Sequence, residues 1–421
     1  MIKGALLTVG SYYGTLAAAR LLKARGVPVT LADPQALTFS RFSRSVDRFV
    51  SCPSPEDLRV FVQWLMDFGR ANPGYFLYPT SDDLCWVLAK YGNRLRQYYV
   101  IHYPDLGVIQ SLLDKRTLYQ LARRVGLAVP ANFEATSQRN EDGSGLTFPV
   151  LIKPRTQAGM RSKIKGLLVQ SPAEMRDKLA LFRQQIVYDA DVLADVPDVN
   201  DPLIQQFYES ARLDTYSMSG YCSEDGETFL VRASSKVLQN PPMIGVGLCF
   251  QGQPVDVDVQ EKLRALCRSV GYFGVFEAEF IRTERQGQQQ FLLMDFNPRF
   301  YGQMEFEVQR GLLLPLFPLA VCAGRDDHFQ EVKELAQRPQ SRAPQDERFR
   351  HRWLLQILIT TQWLGRKMST GQWRTWLTWS RQPAYDPIAN HRDPWPLLWD
   401  LLGIVLRFAR HPRSTFRNFF R

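Results

Sequence analysis

One stretch near residue 290 restricts the fold more than any other. In FLLMDFNPRF, residues 291–300, apolar side chains alternate with Asp295, Asn297 and Arg299, and Pro298 interrupts the run. Alternation of period two marks a strand with one buried face. Upstream, FEAEFIR at 276–282 alternates in the same way. Joined as an antiparallel hairpin with its loop centred on Gly287, the two runs set Glu279 opposite Asp295, Glu277 opposite Asn297 and Ile281 opposite Leu293. Phe276, Ala278, Phe280, Leu292, Met294 and Phe296 then make the core face. Directly opposed Cβ atoms lie about 5 Å apart, where like charges repel. Two carboxylates and an amide oxygen at that spacing suit a divalent cation. Hard oxygen donors favour Mg²⁺, which commonly takes one or two carboxylates plus substrate phosphates. Ile281 and Leu293, at the apolar end, would then lie against an aromatic base. On these residues alone a half-exposed hairpin with a polar face stays open as the plainer reading.

A chain of 421 residues is too long for one ordinary core, so two or three domains are expected. It opens with KGALLTVG, SYYGTLAAARLLKARG and VPVTLAD, a strand, helix and strand with Gly10 and Gly14 in the turn. That begins a parallel α/β unit, and the turn lacks the G-x-G-x-x-G of a dinucleotide site. The loop YPTSDD (78–83) sits where open sheets carry ligands, or else caps a helix through Ser81 or Asp82. A second unit starts near residue 108. SLLDKRTLYQLARRVGLAVP predicts one amphipathic helix, capped near Ser111 or Asp114 and stopped by Gly126 and Pro130. FPVLIKP predicts a strand ending in Lys153, and the loop after it carries Arg155, Arg161, Lys163 and Lys165 as positive charge. A hairpin turning at Asp225-Gly226 and a helix at 256–271 lead into the final pair of strands.

Net charge is +10, but residues 331–421 hold 16 Lys+Arg against 7 Asp+Glu, so the basicity belongs to the C-terminus. Seven of the nine Trp lie there too. In the last predicted helix Asp400, Gly403 and Arg407 share one stripe amid apolar residues, and Arg410, Arg413, Arg417 and Arg421 follow without an acid. This suits a helical extension packed on the core, a membrane surface, or an acidic carrier protein. No groove-reading motif points to nucleic acid. Six scattered cysteines without C-x-x-C argue against zinc or a disulfide framework and suit a reducing cytosol. The start reads as a strand, without a signal-peptide cleavage site, and no apolar run reaches the roughly 18 residues of a bilayer span. A cytoplasmic protein is expected, with membrane association at that face and a homodimer both compatible. The five His are isolated, with no Ser-His-Asp or Cys-His arrangement.

Taken in order, five elements over residues 108–311 resemble the ATP-grasp superfamily, specifically its carbamoyl-phosphate-synthase-like and carboxylate–amine ligase members. They are Asp114-Lys115 with GLAVP, FPVLIKP, SKVLQNPP, Glu279-Phe280, and Asp295-Phe296-Asn297-Pro298-Arg299. The N-terminal unit resembles the domain preceding ATP-grasp in D-aspartate-ligase-like proteins. The fold implied is α/β and α+β: a Rossmann-like pre-ATP-grasp domain (1–107), a two-lobed ATP-grasp domain (108–330) and a basic, Trp-rich helical extension (331–421). The resemblance implies that Glu279, Asp295 and Asn297 hold one or two Mg²⁺ ions, with Mn²⁺ as a substitute. It places Lys115 and Lys153 on ATP phosphates, Lys236 near the γ-phosphate or acyl phosphate, and Arg299 on the transferred phosphoryl group or acceptor carboxylate. Gln205 and the Gln206–Phe207 backbone would edge the adenine, with Asp214 near the ribose. The implied activity is ATP-dependent amide formation from a carboxylate and an amine through an acyl phosphate. The alternative is a degenerate nucleotide-binding module for regulation or scaffolding. Asp295 and Gln205 both stand where the family more often has Glu.

Overall fold

A computed structural model describes residues 2–135, 138–162, 164–209, 215–240, 246–285, 287–339, 342–366 and 368–410. Three sheets organise them. The first comprises β1 (Gly4–Thr8), β2 (Val29–Asp33), β3 (Arg48–Ser51), β4 (Tyr75–Leu77) and β5 (Tyr99–Val100), all parallel in the order β3-β2-β1-β4-β5. Every residue of GALLT in β1 is buried, as a central parallel strand covered on both faces must be. The turn after β1 is fixed by the Gly10 N–H donating to Asp33 Oδ2 at 2.6 Å. Gly14, in the helix Tyr13–Ala24, admits the carbonyl of Tyr301, which would lie 2.4 Å from any added Cβ. The N-terminal unit is thereby pressed against the segment that follows Arg299.

The second sheet is antiparallel, in the order β6-β9-β7-β8: β6 (Asn132–Glu134), β7 (Val150–Lys153), β8 (Leu167–Val169) and β9 (Leu203–Gln206). The third contains β10 (Thr215–Cys222), β11 (Phe229–Asn240), β12 (Val246–Gln253), β13 (Gly274–Arg285), β14 (Gln288–Asn297) and β15 (Arg348–Arg350), ordered β14-β13-β10-β11-β12-β15. The β10–β11 hairpin turns at Gly226, where φ is +70°, as Asp225-Gly226 predicts. Phe276, Ala278, Phe280 and Phe296 are fully buried in one cluster, which confirms the predicted core face for these four residues.

Three local expectations are corrected. The β13–β14 ladder keeps Glu277↔Asn297 and Glu279↔Asp295, but the register then slips by one, giving Phe280↔Leu293 and Ile281↔Leu292. Met294 is the extra residue, and a bulge of one residue moves every side chain beyond it to the opposite face. Leu293 therefore joins the core cluster with Phe280 and Phe296, and Leu292 takes the place beside Ile281. The run at 111–130 is two helices, Leu106–Leu113 and Lys115–Arg124. Asp114 breaks the first and caps the second by accepting from the Arg116 N–H at 2.9 Å, whereas Ser111 lies inside the first. The C-terminal extension is not wholly helical, because β15 pairs with β12 and completes the large sheet.

The extension then returns to the N-terminal unit. Its last helix, Trp395–Arg410, stacks Trp399 on Phe42 at 3.8 Å, and Asp393 just before it pairs with Arg20 at 3.0 Å. Packing on the body of the protein is the reading realised for these residues.

Gly14→Ala should lower stability by about 1–3 kcal/mol. Alanine would gain about 1 kcal/mol in a helix interior, but a backbone carbonyl at 2.4 Å cannot move aside cheaply. The check is the unfolding midpoint, and an unchanged or raised midpoint would contradict the tight approach.

Candidate active site

The cleft is built where β13 and β14 face the ends of β7, β9 and the helix Lys115–Arg124. Glu279 and Asp295 are ladder partners, and each meets its own lysine. Lys115 Nζ lies 2.9 Å from Asp295 Oδ1. Lys236, on β11, reaches across β10 to Glu279 Oε2 at 3.3 Å. Burial alone would raise the Asp295 pKa, but the Lys115 ammonium, helped by Lys153 and Arg299, holds it below the ordinary carboxylate range. Lys115 is placed by its helix start: Asp114 pairs with Arg155, and the Lys115 N–H donates to the Arg155 carbonyl at 2.9 Å. Arg155 is thus spent on Asp114 and on Asp198 at 2.9 Å, and Arg161 on Asp189 at 2.7 Å. Neither is the free loop charge that the sequence suggests, and Lys163 lies outside the described residues.

Lys153, at the end of β7, approaches Gln205 Oε1 at 3.4 Å. Desolvation, reinforced by the neighbouring Lys115 charge, lowers its pKa to about 8. The Tyr119 hydroxyl shares its one hydrogen between the same Gln205 oxygen at 3.1 Å and the carbonyl of the bulge residue Met294 at 2.9 Å. One tyrosine therefore ties β9 to the bulge. The Gln206 N–H donates to the Ala131 carbonyl and the Phe207 N–H to the Pro149 carbonyl, so both main-chain donors are engaged in holding β9 against its neighbours. Ile281 is buried beside Leu292. Asp214 lies outside the described residues.

Arg299 is where the N-terminal unit enters. Its guanidinium donates to Asp82 Oδ1, to the Tyr12 hydroxyl at 3.0 Å and to Asn297 Oδ1 at 3.1 Å. Burial would lower its pKa, but Asp82 drives it upward, so the positive charge is permanent. Asp82 begins the helix Asp82–Leu95, which Ser81 caps, and so the loop YPTSDD both caps a helix and faces the site. Asp83 beside it accepts from the Gly159 N–H at 2.7 Å, tying the loop after β7 to the N-terminal unit. Tyr12 is a residue of this cluster that sequence reasoning missed, and Asp82 is legible in the sequence only as part of the YPTSDD loop.

Glu277, which the sequence sets opposite Asn297 without giving it a role, lies beside that cluster. It accepts from Asn297 Nδ2 at 3.2 Å and from the Gln303 amide, and burial together with the charge of Glu279 pushes it up to about 8. Near neutrality it carries its proton and adds no third negative charge. Among the described residues no three His, Cys, Asp or Glu side chains are grouped to hold a metal ion. The donor set is two carboxylates and the Asn297 amide, which fits a Mg²⁺ ion completed by phosphate oxygens and water.

No family model matches the chain. A D-aspartate ligase of Enterococcus faecium (strain Aus0004) is 19% identical over 290 residues, and the match spans 66% of either chain, just under two thirds. Among solved structures, the biotin carboxylase of Campylobacter jejuni in its β,γ-ATP complex aligns with TM-score 0.59 at 12% identity, covering 77% of this chain and 71% of that one. The L-amino acid ligase of Bacillus licheniformis aligns with TM-score 0.56 at 12% identity, covering 78% and 77%.

Lys153→Met should stabilise the ligand-free protein near pH 7. A lysine whose pKa falls from 10.5 unfolded to about 8 folded costs stability while charged in both states, and the cost is relieved as pH rises from 8 towards 10.5. With partial solvent screening the gain should be about 1–2 kcal/mol. Stability measured from pH 7 to 10 should climb in the parent and stay flatter in the variant; parallel profiles would contradict the shift.

With its paired carboxylate strands, its second antiparallel sheet and its parallel N-terminal sheet, this chain shares the fold of those two solved enzymes.

Proposed function

We propose that the protein is an ATP-dependent carboxylate–amine ligase working through an acyl phosphate. The observation that carries this is the ladder pair Glu279–Asp295, ringed by Lys115, Lys153, Lys236 and Arg299. Phosphoryl transfer asks little covalent work of a protein; it asks for cations matched to the charge on the moving oxygens. In the first step a substrate carboxylate oxygen attacks the γ-phosphorus and ADP leaves. In the second an amine nitrogen attacks the acyl carbon, phosphate leaves, and the amine proton passes to solvent or a nearby base.

Glu279, Asp295 and Asn297 would hold one or two Mg²⁺ ions, which neutralise the β- and γ-phosphates. Lys115 and Lys153 would bind ATP phosphates. Lys153 suits this, since the charge of an approaching polyanion would favour its ammonium form and offset the desolvation that lowers its pKa. Lys236 would face the γ-phosphate or acyl phosphate, and Arg299, held rigid by Asp82 and Tyr12, would orient the phosphoryl group or the acceptor carboxylate. Gln205, Gln206 and Phe207 would edge the adenine, with Ile281 and Leu292 under the base.

The second reading, a nucleotide-binding module without turnover, draws on one observation: each carboxylate already has a lysine partner. ADP and phosphate release separates the two. The ligase should release both only when carboxylate and amine are present together. Asp295→Ala and Lys153→Ala should each lose about 10²-fold or more in rate with the fold retained by circular dichroism. Normal turnover in these variants would overturn the site. ATP binding with no turnover across a screen of amino-acid pairs would favour the second reading.

A further inference from the structure

The helix Trp395–Arg410 is fixed on one side and bare on the other. Inward, Trp399 stacks on Phe42, and Leu397 packs against the small cluster of Leu16, Phe39 and Ile388. Asp393 anchors the helix start through Arg20 and through Ser43 Oγ at 2.6 Å. Outward, Trp395, Leu398, Leu402 and Val405 are 48%, 52%, 41% and 62% exposed. Steps of three and four residues put these side chains on one face. A helix held by its inner face while four large apolar side chains of its outer face stand in water, followed by an exposed Arg410, is a surface that expects cover.

A second feature comes from sequence alone. Residues 401–421 contain Arg407, Arg410, Arg413, Arg417 and Arg421, with Phe408, Phe416, Phe419 and Phe420 among them and no Asp or Glu. An apolar helical face running into an acid-free Arg/Phe segment is complementary to a negatively charged apolar boundary. We propose that this face docks on an anionic phospholipid surface, with the helix lying in the plane of the headgroups.

Length and charge support lipid as the occupant. The sixteen described residues make about 24 Å of helix. No helix among the described residues is long and apolar enough to cross a membrane. Trp395 suits headgroup depth for a helix lying on the surface. Arginines near an anionic leaflet gain attraction that a neutral surface does not offer. The inference is independent of the reaction in the cleft.

The test is flotation of the full chain with vesicles of phosphatidylcholine alone, and of phosphatidylcholine doped with phosphatidylglycerol. The parent should float with the doped vesicles, at least about tenfold more than with neutral ones, and less as salt is raised. Leu398→Glu combined with Leu402→Glu replaces two exposed side chains, so its melting temperature should match the parent while flotation falls about tenfold or more. No flotation with either vesicle, equal flotation with both, or undiminished flotation of the variant overturns the proposal. So does light scattering that shows a lipid-free dimer which the double variant converts to monomer, because the face would then be an interface between copies.

Discussion

Two carboxylates set against each other across neighbouring strands are the constraint around which the cleft is organised. Glu279 and Asp295 cannot both stay charged beside each other in a low-dielectric cleft without compensation. Lys115 and Lys236 supply it, each from a different element, and Lys115 keeps Asp295 ionised against the effect of burial. Glu277, without a cation of its own, answers the same field by holding its proton to about 8. The pattern sets two of the three acids on this face against lysines and leaves the third as a hydrogen-bonding group.

Structure farther away follows from that need. Lys115 begins a helix beside Asp295 because Asp114 interrupts the amphipathic run and Arg155 clamps the break. Tyr119, one turn on, reaches Gln205 and the Met294 carbonyl, so the bulge, the second sheet and the lysine helix are fastened at one hydroxyl. Arg299 joins the N-terminal unit to the same cleft, and Gly14 allows the Tyr301 carbonyl to approach closely enough for that contact. The parallel sheet therefore shapes the cleft as well as standing beside it.

The legibility of these features in the sequence tracks the range of the physics behind them. Glu279, Asp295 and Asn297 are readable because period-two alternation assigns faces without any tertiary knowledge. Leu293 is misplaced because a one-residue bulge leaves no mark in composition, only in the ladder. The break at Asp114 is hidden by apolar spacing that continues through it, although Asp is a good cap and could have been weighed more heavily. Tyr12, Asp82 and Glu277 acquire their roles from contacts across domains or from burial, and neither is local. β15 is three residues of alternating charge and phenylalanine, too short to register as a strand until β12 offers its edge.

The most direct measurement is a crystal structure with a non-hydrolysable ATP analogue and Mg²⁺. The expected result is a cation ligated by carboxylate oxygens of both Glu279 and Asp295 and by the analogue's phosphates, with the Lys115 and Lys236 ammonium groups drawn toward phosphate oxygens. A nucleotide bound elsewhere, or a cation in the cleft that leaves both carboxylates on their lysines, would contradict the assignment of these strands as the magnesium site.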